Sequence, residues 1–163
     1  MRSLERHNMQ VQHSENIAQN ARTRTGKSTG SADRLPARRV LVMDDDATTR
    51  MILSLIIAQE GWRSVEAENG EEAIAAFKWA RASGDPFDAV LLDLKIRGGM
   101  GGQETMQTLA SIDPAVKAVV ISGNTFEPAF ARFREFGFRN ALPKPFSGEA
   151  LMDVLREVLT TSP

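Results

Sequence analysis

The sequence predicts an α/β protein, a doubly wound, five-stranded parallel sheet flanked by five helices. Short apolar runs alternate with amphipathic stretches five times from Arg38 onward. Such alternation argues for right-handed crossovers and helices on both sheet faces. The runs RVLVM and FDAVLLD are apolar nearly throughout, as strands buried on both sides are. At 163 residues and 42% hydrophobic content, the chain has room for one substantial core.

In chain order, RVLVM is the first strand, and Thr48–Glu60 is a helix stopped by Gly61. WRSVEAE is a strand with partial alternation that ends at Asn69-Gly70. Glu71–Ala82 is the second helix, ended by Gly84 and Pro86, and FDAVLLD is the third strand. A glycine-rich stretch, IRGGMGG, leads to a helix near Gln103–Ser111. VKAVVIS is the fourth strand, and Pro128–Phe136 is predicted to be one helix closed by Gly137. RNALP is a short fifth strand, and Gly148–Leu159 is the last helix.

Composition narrows the function classes. The absence of cysteine excludes disulfides and thiolate metal sites. There is no N-terminal apolar signal and no apolar run long enough to span a bilayer, so the expectation is a cytoplasmic protein. A net charge of −1 conceals an asymmetry: residues 1–39 carry eight Arg/Lys against three acids, and the rest is acidic. Residues 1–36 are poor in large apolar side chains, and we expect a flexible basic arm ahead of a domain over 37–163. A basic arm can touch nucleic acid or anionic lipid, but this composition fits a solvated tail. Within it, ARTRTGKS resembles a phosphate-binding loop, yet it lacks the preceding strand and following helix that such a loop requires.

The chemistry concentrates where the strands end. Ligands of open parallel sheets bind at the carboxyl ends of the strands. The first strand runs into Asp44, Asp45 and Asp46, the third into Asp93, the fourth into Ser122-Gly123-Asn124, and the fifth into Lys144-Pro145. Each residue has a local explanation on its own. Asp46 suits a helix N-cap, Ser122 a turn, Lys144 a solvated loop and Asp93 a solvent-facing strand end. One cap accounts for one acid and not three, and clustered carboxylates repel unless a cation lies among them. The joint pattern fits a divalent cation facing a phosphoryl acceptor. Magnesium takes hard oxygen ligands, a carboxylate can be the nucleophile, and a hydroxyl and an ammonium can hold the transferred oxygens.

The order DD after the first strand, then DAVLLD, VVIS-G and KPF, resembles the receiver domain of two-component response regulators over about Arg39 to Leu159. FDAVLLDLKIRGGMGGQET and FREFGFRNALPKPF are most similar to receivers at the C-termini of hybrid sensor kinases. The resemblance implies a flavodoxin-like strand order 2-1-3-4-5 and a phosphoacceptor domain rather than a conventional enzyme. It makes Asp93 the phosphorylated residue, supplied from a histidine kinase or phosphotransfer protein. Asp45 and Asp93 would ligate Mg2+, with Asp44 assisting and the backbone carbonyl of Lys95 a further ligand. Ser122 and Lys144 would meet the phosphoryl group, and the Lys144–Pro145 peptide would be cis. The downstream partner is a protein, in a stand-alone receiver or one cut from a larger chain.

Two positions depart from the family pattern. Arg97 replaces the usual proline, with an extra glycine after it, and is expected to change only the rim of the site. Ala141 replaces a common aromatic, which implies a muted rearrangement of the last-strand face. The alternative is a haloacid-dehalogenase-like phosphohydrolase, because DDDAT fits its D-x-D-x-T pattern with Asp44 as nucleophile. That reading lacks a later pair of metal-binding acids on a loop, since Glu149, Asp153 and Glu157 stand at helical spacing.

Overall fold

The structure is a computed structural model that describes residues 37–160. The expected basic arm and its ARTRTGKS stretch lie outside the described residues. Five strands, β1 (Arg39–Met43), β2 (Arg63–Ala67), β3 (Ala89–Asp93), β4 (Ala118–Ser122) and β5 (Asn140–Pro143), form one parallel sheet in the order β2-β1-β3-β4-β5. Its helices are α1 (Ala47–Gln59), α2 (Gly70–Ala82), α3 (Gly102–Ile112), α4 (Pro128–Ala131) and α5 (Gly148–Thr160).

Side-chain alternation along the strands builds two cores. Leu41, Met43, Val90, Leu92 and Val120 point to one face, where they meet Ala73 and Phe77 of α2 and Met106 and Leu109 of α3. Val40, Val42, Leu91, Val119 and Ile121 point to the other, where they meet Leu53 and Ile57 of α1 and Leu151 and Leu155 of α5. Every residue of β1, β3 and β4 is buried, whereas β2 and β5 are partly exposed edges. Central strands sandwiched between helices need apolar side chains on both faces, and edge strands do not.

The helix ends follow local chemistry. Asp46, in extended conformation, caps α1 by accepting from the Thr48 backbone N–H at 2.8 Å. Asn69 caps α2 in the same way at 3.0 Å from Glu72 N. Gly61 and Gly84 carry positive φ just past α1 and α2. The Pro128–Phe136 segment differs from the single helix expected. It is the short α4 followed by a 3-10 turn over Phe133–Phe136, with the break at Arg132 (φ −122°, ψ 41°). Phe130, Phe133 and Phe136, on one side of this segment, all pack against the first core. Gly137 closes the segment at φ +89°, as its position predicts.

One glycine is set by the site. The first residue of α3, Gly102, runs so close to β3 that a Cβ there would lie 2.5 Å from the Asp93 carbonyl oxygen. Gly102→Ala is therefore expected to cost about 1–3 kcal/mol by overpacking. Chemical denaturation and the backbone amide shifts of Asp93 and Leu94 should both respond. An unchanged midpoint would show that α3 can move aside.

Candidate functional site

The carboxyl edge of the sheet gathers the charged residues. β1 and β3 are buried throughout, so the residues at their ends inherit a rigid position. Asp44 is 1% exposed and tied to β2, its N–H donating to the Ala67 carbonyl at 3.2 Å. Asp93 is the last residue of β3 and is also buried. Carboxylate oxygens of Asp44, Asp45 and Asp93 lie within 4.8 Å of one another. Lys144 follows β5, and its N–H donates to the Ser122 carbonyl at 2.8 Å, which locks the ends of β4 and β5 together. Its ammonium donates to Asp44 Oδ2 at 2.6 Å and to Asp93 Oδ1 at 3.0 Å. The Lys144–Pro145 peptide is cis, as the resemblance implied.

Burial pushes the Asp93 carboxyl above the ordinary carboxylate range. The hydrogen bond and charge of Lys144 pull it back only in part, and the Asp44 charge adds to the rise. For Lys144, burial works against the charged form, but the hydrogen bonds to Asp44 and Asp93 outweigh it, so the ammonium titrates above its ordinary value. The Arg97 guanidinium holds the Asp45 carboxyl below the usual range.

Ser122 is buried at the end of β4, and its hydroxyl accepts from the Asn124 N–H at 3.0 Å. The turn role expected of it is present. Lys95 stands two residues past Asp93 with its ammonium 2.8 Å from Glu127, so the β3–α3 and β4–α4 loops are bridged. Arg97 goes beyond the rim role expected of it. Its Nε and its backbone N–H both donate to Asp45 Oδ2, at 2.9 and 3.2 Å.

Arg50 was not singled out from sequence. It lies buried on α1 and donates to the Asp44 carbonyl at 2.8 Å and to Glu68 at 3.0 Å. It is one helical turn beyond the cap Asp46, whose carbonyl accepts its N–H. An arginine on the sheet-facing side of an otherwise apolar helix stripe is the only local signal of that role.

Carboxylates at the ends of β1 and β3, with an ammonium between them, form a candidate phosphoacceptor-type site on a doubly wound sheet. The chain belongs to the response regulator receiver domain family, which matches residues 40–156. It is 35% identical over 117 residues to a response regulator receiver protein of Anaeromyxobacter, covering 72% of this chain and 47% of that protein, about half its length. It is 30% identical over 122 residues to the chemotaxis protein CheY of Thermotoga maritima, covering 74% of this chain and 97% of that one. Among solved structures it is similar to Vibrio cholerae CheY4, with a TM-score of 0.68, 25% identity, and coverage of 76% of this chain and 99% of that one. Receivers are phosphoacceptors of two-component signalling, and the phosphohydrolase alternative built on Asp44 finds no support. Among the described residues, no helix is long and apolar enough to cross a membrane.

The charge balance predicts a stability effect. Asp93 titrates above its unfolded value, so its contribution to stability is full below the ordinary carboxylate pKa and is lost as pH rises through the folded value. Ionised Asp93 therefore costs stability at neutral pH. Asp93→Asn should raise Tm by a few degrees near pH 7 without divalent cations, and the gain should vanish in acid. A lower Tm at pH 7 would mean that the Lys144 contact outweighs burial.

Proposed function

We propose that the domain takes a phosphoryl group from a phosphohistidine, on a histidine kinase or phosphotransfer protein, onto Asp93 in a magnesium-dependent reaction. The observation that carries this reading is the position of Asp93. It is a buried carboxylate at the end of a central strand, held 3.0 Å from the Lys144 ammonium and within reach of Asp44 and Asp45. A carboxylate oxygen of Asp93 attacks phosphorus and forms a P–O bond, the P–N bond breaks, and the imidazole leaves with its electron pair and takes up a proton. The product is an acyl phosphate.

Each surrounding group answers one demand of that reaction. Asp45 and Asp93, with Asp44 beside them and the Lys95 carbonyl as a further donor, offer the hard oxygens that Mg2+ takes. The ion supplies charge neutralisation for the incoming phosphate. Lys144, already between two carboxylates, can follow the phosphoryl oxygens while keeping Asp44. The Ser122 hydroxyl turns from Asn124 to donate to the new phosphate. Phosphorylation adds about −1.5 to −2 charge, which draws both side chains in. The same groups support self-catalysed phosphorylation and dephosphorylation. Residues 37–163 carry this activity in the cytoplasm, and residues 1–36 are dispensable for it. The output of this domain passes through protein contacts.

Incubation with acetyl phosphate and Mg2+, followed by intact-mass analysis, tests the acceptor. The wild type should gain one phosphoryl group, Asp93→Asn none, and Lys144→Ala should react at least tenfold more slowly, since about 1.4 kcal/mol of lost transition-state stabilisation is already tenfold. Labelling of Asp93→Asn at the wild-type level would move the acceptor elsewhere. A chain beginning at Ala37 should be labelled at the full-length rate, and a large rate loss would place part of the arm at the site.

A further inference from the structure

Three carboxylates share the site with two cations of the chain's own. Lys144 serves Asp44 and Asp93, and Arg97 serves Asp45. We infer that Arg97 is an internal counter-cation that a divalent ion must displace from Asp45, so that it sets the cation concentration at which the site fills. The inference rests on the reading that Asp44, Asp45 and Asp93 hold the ion.

The geometry distinguishes Arg97 from an ordinary surface arginine. Two of its donors, one from the side chain and one from the backbone, converge on the same oxygen, Asp45 Oδ2. The following Gly98 adopts φ +77°, which turns the β3–α3 loop at this point. Asp45 is thus held toward that loop from the backbone as well as by the guanidinium.

Of the two cations, Arg97 is the one that can leave. The Lys144 ammonium is half-buried between two carboxylates, and freeing it would strand both of them. The Arg97 side chain is 89% exposed, so its guanidinium returns to water with little change in solvation. A divalent ion on Asp45 would sit within a few ångströms of a fixed guanidinium, and their repulsion exceeds what an exposed ion pair gains. The backbone N–H carries no net charge and can stay on Asp45. Arginine at this position therefore acts on a ligand of the ion and not merely on the rim.

The test is a MgCl2 titration of the 15N-labelled full chain at constant ionic strength, reading the Asp93 and Leu94 amides and the Arg97 Nε–Hε resonance. The Nε–Hε resonance should move to the free-guanidinium position with the same midpoint as the amides. Arg97→Ala should lower that midpoint roughly threefold to tenfold. A stationary Nε–Hε resonance during saturation, or an Arg97→Ala midpoint equal to or above wild type, overturns the inference. Asp45→Asn separates the two readings. If it raises the Mg2+ midpoint while Arg97→Ala does not lower it, the metal reading stands and the Arg97 inference falls. If Asp45→Asn binds as the wild type does, or the wild type shows no Mg2+ response, both fall.

Discussion

The ammonium of Lys144, placed between the carboxylates of Asp44 and Asp93, is the contact on which the site depends. Two acids at the ends of adjacent buried strands repel, and burial raises the cost of their charge. One lysine from a third strand end makes their coexistence possible. It reaches them because its own backbone N–H is tied to Ser122 at the end of β4. The contact thus joins four strand ends at one edge of the sheet.

The rest of the fold serves to hold that edge still. Continuous apolar runs in β1, β3 and β4 allow helices to cover both faces, so the strand ends cannot shift without disturbing two cores. The close passage of α3 over the Asp93 carbonyl, and the reach of Arg50 from α1 to the Asp44 carbonyl, fix the site from both sides. Such rigidity suits phosphoryl transfer, in which the protein mainly positions groups and stabilises charge.

The loops above the edge carry the adaptable part. Arg97 and Lys95 lie two residues apart on the β3–α3 loop, and each ends on an acid from another segment, Asp45 and Glu127. Lys95 feels the charge of Asp93, and Arg97 that of Asp45. They connect the loop after β3 with the first loop of the sheet in one direction and the β4–α4 loop in the other. Ser122, whose hydroxyl now serves its own turn, is the third adaptable element.

The strand–helix alternation, the fully buried strands and the acids at their ends were legible in sequence because each is a local property. An apolar run of five residues that stops at aspartate states its own burial and its own end. Asp46 was recognisable as a cap for the same reason, since a cap bonds within its own turn. Pro128–Phe136 was legible as helical but not as divided, because the break at Arg132 leaves no mark in the local residue pattern. Which cation meets which carboxylate oxygen was decided by tertiary structure. Lys144 is 100 residues from Asp44 and 51 from Asp93, and Arg97 is 52 from Asp45. The strand-end pattern brought Lys144 to the acids already in sequence, whereas nothing in the sequence marked Arg97 as the partner of Asp45. The partners are chosen by where the crossovers set each strand end, and by which charged side chain then reaches a carboxylate that cannot stay unpaired.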